Sequence, residues 1–214
     1  MLDIKLVAAT QFLGGSADAL ATDAEAAVNY AARLRGGSFP PAALLRQLID
    51  DNSLTALEHA TATIHISGCS RDAARVVLGQ TGFAVSEGRA GDGVVLPATI
   101  RADEELTRMF TAAAEEASFV HDELRQALNE ALADEPNQLA RRKAAQQAAD
   151  ALLPAAIETE LVVTGNYRVW RQFIAEHTGE FEHAEVRAIA QGCLHVLREQ
   201  APLLVEDLGD GARR

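Results

Sequence analysis

The sequence predicts an α+β chain: a few short strands forming a central sheet, covered by long helices. Three observations carry that expectation. The segment Leu161–Thr164 is short, apolar and β-branched, as a buried strand should be. Residues 60–67 alternate Thr61, Thr63, His65 and Ser67 with Ala62, Ile64 and Ile66, the period of a half-buried strand. From Asp103 onward, Leu106, Phe110, Ala113, Ala117, Val120, Leu124, Leu128 and Ala131 recur at three- and four-residue spacing, the stripe of a long helix that packs along one face.

The remaining elements follow in order. Ile4–Ala8 reads as an opening strand, and the alanine-rich segment 17–35 as a helix. Gly36–Pro41 is a loop whose last proline suits the first turn of the next helix, with Leu44, Leu45, Leu48 and Ile49 as its apolar face. Residues 54–59 end a helical turn in which His59 is expected to be packed and hydrogen-bonded. Ser70 is expected to cap a helix from Arg71 toward Leu78, with Arg71 and Arg75 on a solvated face. Val94–Pro97 reads as a short strand stopped by proline, and Asp103 and Asn137 as starts of helices. Gly165 should break the strand before it, leaving Asn166 to cap a helix. On that helix Trp170, Phe173 and Ile174 share one face, and Arg168 and Arg171 another. Asn and Arg at a strand-to-helix junction suit an anionic ligand. The final helix, 185–200, buries Ile189, Cys193, Val196 and Leu197.

Composition narrows the classes of function. The 214 residues suit one domain, here residues 1–208 with a frayed tail from 209. A formal net charge of -12 disfavours non-specific binding to nucleic acid or an anionic membrane. There is no recognisable signal peptide and no apolar run approaching the ~20 residues of a membrane span, so a cytoplasmic protein is the expectation. Cys69 and Cys193 lack metal-ligand spacing and read as buried thiols. Glu176, His177, Glu180, Glu182 and His183 surround Gly179; they read as a solvated turn, with a divalent-metal site as the alternative.

The run Thr164-Gly165-Asn166-Tyr167-Arg168, continuing into a helix with Phe173, resembles the flavin-dependent thymidylate synthase family. The resemblance extends through Leu57-Glu58-His59-Ala60, Ser70-Arg71, Arg142-Lys143, Leu153-Pro154 and Glu185-Val186-Arg187, nearly the whole chain in order. It implies the family's fold, a homotetramer with active sites between subunits, and the use of FAD, NADPH and methylenetetrahydrofolate to convert dUMP to dTMP. It also implies flavin-side roles for Thr55, Glu58, Asn166 and Arg168, and nucleotide-side roles for Glu87 and Arg89.

Other positions depart from the family pattern. The family signature runs Arg-His-Arg, two residues, Ser, three or four polar or small residues, Ser, one residue, Arg-Tyr. Here Gly79-Gln80-Thr81 stand at Arg-His-Arg, the segment is about two residues short, and Ala90 follows Arg89 in place of Tyr. Ser53 stands where the family has a His, Asp150 where it has a nucleotide-binding Arg, and His177 where an Arg polarises the pyrimidine, which makes His177 the candidate catalytic residue. Replacing two arginines removes two planar, permanently charged forks. At roughly 1.5–3 kcal/mol for each charge-assisted hydrogen bond, an anion would bind on the order of hundreds of times more weakly. Three readings follow: a catalytically degenerate relative kept for binding or assembly, including assembly with an active paralogue; an active FAD-dependent nucleotide C5 methyltransferase with a rebuilt pocket; or a metal-dependent enzyme using the cluster around Gly179.

Overall fold

The fold is described from a computed structural model, over residues 1–14, 22–34, 39–91 and 93–209. The expected helical residues 17–21 and 35, the loop residues 36–38 and the tail beyond 209 lie outside these described residues. The chain divides into two compact units.

The first unit comprises Met1–Cys69, Ala73–Arg89 and Glu160–Arg214. Its centre is a four-stranded sheet in the order β1-β2-β4-β3, with β1 at Asp3–Ala9, β2 at Thr61–Ser70, β3 at Ala84–Glu87 and β4 at Glu158–Asn166. β1 runs antiparallel to β2 and β3 antiparallel to β4. Ala62, Ile64 and Ile66 of β2 and Leu161 and Val163 of β4 are buried, as the alternation requires. The opposite face carries a hydroxyl pair, Thr63 with Thr164 at 2.9 Å, and His65 Nε2 beside Glu160 Oε2 at 3.0 Å.

Helices α1 (Asp23–Arg33), α2 (Pro41–Asp50), α3 (Arg71–Gly79), α7 (Tyr167–His177) and α8 (Ala184–Gln200) surround this core; α3 begins in the second unit and continues in the first. Thr22 caps α1 by accepting from the Glu25 N–H, and Pro41 occupies the first turn of α2. Residues Leu54–His59 form a 3-10 turn in which His59 is exposed, not packed. Both cysteines are buried and outside any disulfide, and burial pushes the Cys193 thiol up to about 12.

Two expectations about the strand-to-helix junction are corrected. Gly165 does not end β4, which continues through Asn166. A Cβ at Gly165 would lie 2.6 Å from the Phe83 ring, so its missing side chain admits that ring against Trp170. Nor do Arg168 and Arg171 share a face apart from the apolar one. Arg171 is buried among the apolar side of α7, where its guanidinium donates to Asp207 at 2.6 and 2.7 Å and to the Leu204 carbonyl at 2.8 Å. Burial acts to raise the Asp207 pKa, but the Arg171 guanidinium outweighs it and holds the carboxyl below its usual value.

A second buried charge faces the same C-terminal segment. Glu25 is fully buried, and its Oε1 accepts from the Leu203 N–H at 2.8 Å. Burial raises its pKa, against the pull of the Leu203 N–H. A carboxyl raised above its unfolded value contributes stability at low pH that is lost as pH rises through the folded pKa. Glu25→Gln keeps a carbonyl for Leu203 and removes that loss. In urea titrations the parent should therefore lose ground to Glu25→Gln as pH rises from the ordinary glutamate pKa of about 4.3 toward neutrality. A constant difference across that range would contradict the assignment.

The second unit comprises Ser70–Asp72 and Ala90–Thr159. It holds α4 (Ala98–Arg101), the 28-residue α5 (Glu104–Ala131) and α6 (Gln138–Ala149), followed by a 3-10 turn at Asp150–Leu152. Asp103 caps α5 through the Leu106 N–H, and Asn137 caps α6 through the Leu139 and Ala140 N–H groups. Val94–Pro97 is not a strand; a single bridge joins Val94 to Ile157. Arg71 is not on a solvated face either, since its Nη1 donates to the Leu153 carbonyl at 3.2 Å. The α5 stripe is packed only in part. Phe110, Ala117, Leu124 and Leu128 of the stripe are half-buried and Leu106, Ala113, Val120 and Ala131 are exposed, the buried residues of the helix being Ala114 and His121, because the short, alanine-rich α6 covers little of a helix about 42 Å long.

Candidate functional site

All seven positions with an implied ligand role fall in the first unit. They do not converge. One group sits at the N-terminus of α7. Asn166 caps this helix, its Oδ1 accepting from the Val169 N–H at 3.0 Å. That bond commits the oxygen and leaves the side-chain NH₂ for any ligand. Arg168, in the first turn, donates from Nη1 to Glu58 Oε1 at 2.5 Å, and both side chains are about half exposed. Glu58 and Thr55 are exposed on the 3-10 turn Leu54–His59, which α7 meets through the Tyr167 N–H bonding to the Ala60 carbonyl at 3.0 Å. Thr55, Glu58, Asn166 and Arg168 therefore gather at one junction.

Glu87 and Arg89 lie elsewhere. Ala84 is paired with Thr164 near the Asn166 end of β4, whereas Glu87 is paired with Leu161. Five residues of extended chain separate Leu161 from Asn166, about 17 Å along the strand. Glu87 and Arg89 are both exposed at that far end. His177 is at the C-terminus of α7, nine residues and about 14 Å of helix from Arg168. Its Nδ1 is 2.7 Å from Glu182 Oε2, and its ring packs on Phe173 with centroids 4.9 Å apart.

Of Gly79-Gln80-Thr81, Gly79 ends α3 and Gln80 and Thr81 open the loop to β3. Among the described residues nothing lies within 4 Å of where a Gly79 Cβ would be, so none of their side chains fills the space that a larger residue would take. Gly82 follows at φ +95°, a backbone that L side chains rarely adopt, and a Cβ there would meet Val169 at 2.8 Å. That turn delivers Phe83 to the rings of Trp170 and Phe173, at 4.4 and 5.6 Å. The loop thus supplies packing, and between Gly79 and Phe83 it has no cationic side chain.

In the second unit, Asp150 is engaged by its own chain. Its Oδ1 accepts from Gln146 Nε2 at 2.5 Å and lies 3.1 Å from Nε2 of the buried His121. The pairings of Glu182 with His177 and of His121 with Asp150 escaped sequence reading. The first had a usable signal, a carboxylate five residues from an imidazole across the turn at Gly179. The second joins residues 29 apart and had none. Among the described residues no three His, Cys, Asp or Glu side chains are placed to hold a metal ion, and no helix is long and apolar enough to cross a membrane.

Residues 17–203 match the model of the thymidylate synthase complementing protein family. The chain belongs to that family. It is 40% identical to the flavin-dependent thymidylate synthase of Corynebacterium aurimucosum, over 96% of this chain and 90% of the relative. The Corynebacterium diphtheriae protein of the same name is 36% identical, over 99% of this chain and 94% of its own. That of Mycobacterium marinum is 37% identical, over 99% and 93%. The α+β architecture, with its four-stranded sheet and many helices, is compatible with this family membership.

Set against the family pattern, the junction at Asn166 keeps the residue types implied for the flavin side, while the α3–β3 loop does not. FAD carries a diphosphate that needs cationic or N–H donors. Between Gly79 and Phe83 the donors present are the Gln80 amide, the Thr81 hydroxyl and backbone N–H groups, with no cationic side chain among them.

Proposed function

We propose that this chain is a catalytically degenerate member of the flavin-dependent thymidylate synthase family, kept for binding or assembly, with FAD binding weak or lost. The observation that carries this reading is Gly79-Gln80-Thr81 in place of Arg-His-Arg, on a loop whose only large side chain between residues 79 and 83 is turned to packing. Two further positions support it. Asp150 puts a carboxylate where the family pattern has an arginine, and its oxygen is already held by Gln146. His177 replaces a second arginine and is paired with Glu182.

The packing elements are meanwhile intact: the helix caps, the buried stripe of α7 and the sheet core. Loss of constraint would erode both sets of residues alike. Incubated with dUMP, methylenetetrahydrofolate, NADPH and FAD, the purified protein is expected to form no dTMP. Sustained dTMP formation would instead establish an active FAD-dependent nucleotide C5 methyltransferase with a rebuilt pocket.

Assembly as a homotetramer, or with an active paralogue, belongs to the same proposal. Support comes from the exposed Leu106, Met109, Phe119 and Val120 on α5, and from the separation of Glu87 and Arg89 from the Asn166 junction, which leaves each set incomplete within one chain. Light scattering should give a mass about four times that of one chain for the pure protein; a clean monomer would remove this part. Cytoplasmic residence fits the reading and is tested by cell fractionation.

A further inference from the structure

The segment that follows α8 is held by polar side chains from four helices of the first unit. Residues 201–208 include a 3-10 turn at Pro202–Leu204 and bury Ala201, Leu204 and Val205. From α1, the fully buried Glu25 accepts the Leu203 N–H on Oε1 at 2.8 Å. From α7, the buried Arg171 donates to the Leu204 carbonyl at 2.8 Å and to both Asp207 oxygens at 2.6 and 2.7 Å. From α2, Arg46 donates to both Glu206 oxygens at 2.7 and 3.2 Å, and from α8 Arg198 donates to the Leu208 carbonyl. Glu25 is the incompletely satisfied member of this set. Its Oε2 is buried with no hydrogen-bond partner among the described residues. The groups that face it are the Thr22 hydroxyl of α1, the Tyr167 hydroxyl of α7, the Leu203 N–H and the Glu206 carboxylate, which Arg46 of α2 pairs. None of these offers Glu25 a positive charge, so ionising it in place is costly. The 3-10 turn Leu54–His59 also packs on α1, and its charged residues Glu58 and His59 are exposed.

We infer that residues 201–208 form a pH-gated clasp that detaches from α1, α2, α7 and α8 while those helices stay folded, and that ionisation of Glu25 favours detachment. Two titrations oppose each other in it. Burial raises the Glu25 pKa and the Glu206 carboxylate adds to this, while the Leu203 N–H and the Thr22 hydroxyl pull it down. Released into water, Glu25 ionises at the ordinary value of about 4.3. Its contribution to the closed clasp is therefore full below about 4.3 and is lost as pH rises through the raised value. Burial also acts to raise the Asp207 pKa, but the Arg171 guanidinium holds it below its usual value. That contribution is present above the ordinary value of about 3.9 and is lost as pH falls through the lowered one. The clasp is thus tightest between about pH 4 and about pH 5 and loosens toward neutrality. Detachment frees Arg171, three residues after Arg168 on α7, from its counter-charge. The inference uses contacts within the first unit alone and does not rest on the loss of flavin chemistry.

The test is hydrogen exchange on the full chain, read as protection factors so that the pH dependence of intrinsic exchange divides out. The Leu203, Leu204, Val205 and Leu208 amides are all hydrogen-bonded and report the clasp, and the amides of β2 report the whole fold. In urea concentrations below the unfolding transition, protection of the clasp amides should be lower than that of β2 and nearly independent of urea, because local opening exposes little surface, whereas that of β2 should fall steeply. As pH rises from about 4.3 toward neutrality, clasp protection should fall in the unmodified protein and stay level in Glu25→Gln. Asp207→Asn, which weakens a charge-assisted pair, should cost the clasp amides about tenfold or more of their protection. A clasp whose protection falls with urea as steeply as that of β2 opens only when the protein unfolds, which would overturn the inference. The same pH dependence in Glu25→Gln as in the unmodified protein would remove Glu25 as the gate, and unchanged clasp protection in Asp207→Asn would remove the clasp contacts themselves. Formation of dTMP would overturn the proposed loss of catalysis while leaving the exchange result standing, so the two failures are distinguishable.

Discussion

Trp170→Ala is expected to destabilise the protein by about 3–5 kcal/mol, the usual range for deleting a large buried aromatic. Trp170 is fully buried at the centre of the first unit, against Phe83 at 4.4 Å and Phe173 at 6.3 Å. Its indole N–H donates to the Ala62 carbonyl of β2 at 3.1 Å, so truncation leaves a buried acceptor unpaired as well as a cavity. Single domains carry only about 5–15 kcal/mol in all, so the variant should be near the edge of folding. Trp170→Phe separates the two contributions, since it keeps most of the ring and loses the hydrogen bond. Its loss should be about 1–2 kcal/mol. Urea unfolding at unchanged m-value reads both. A Trp170→Ala loss below about 1 kcal/mol would show that α7 is not packed on the sheet as described.

The second large effect concerns charge. Joint replacement of Asp150→Arg and His177→Arg is expected to tighten dUMP binding at least about tenfold over the unmodified chain. Reversing the sign at Asp150 changes a Coulomb interaction of roughly 1–4 kcal/mol, and each new guanidinium can add a charge-assisted hydrogen bond of roughly 1.5–3 kcal/mol. Part of this gain is offset, because Asp150→Arg leaves Gln146 and His121 without their acceptor. Isothermal titration with dUMP measures the net result. Equal affinities before and after would mean that these two positions do not face the nucleotide.

Much of the fold was legible in sequence because its signals are local. The alternation in residues 60–67, the caps at Asp103, Asn137 and Asn166, and the apolar face of α7 each need only a few neighbouring residues. What was misread depended on partners distant in sequence. Arg171 was placed with Arg168, apart from the apolar face, because its counter-charge, Asp207, lies 36 residues on. The α5 stripe looked buried because periodicity reveals an apolar face but not what covers it. Val94–Pro97 has strand composition yet makes only one bridge.

The candidate site was legible residue by residue but not in arrangement. The Asn166 cap and its neighbour Arg168 follow from the strand-to-helix sequence, whereas the pairing of Arg168 with Glu58 spans 110 residues. That Glu87 and Arg89 lie at the other end of β4 follows only from the β3–β4 register. The role of Phe83 was likewise invisible, since it requires a glycine 82 residues later to make room for the ring.

Titration of the purified apo protein with FAD, followed by quenching of flavin fluorescence, tests the central claim most directly. A loop with Gly79-Gln80-Thr81 offers no guanidinium to the diphosphate, and the remaining Asn166, Arg168, Glu58 and Thr55 include one cation that is already paired. The account predicts no saturable quenching at low micromolar FAD. Stoichiometric binding in that range would contradict it and restore the chain to the working enzymes of its family.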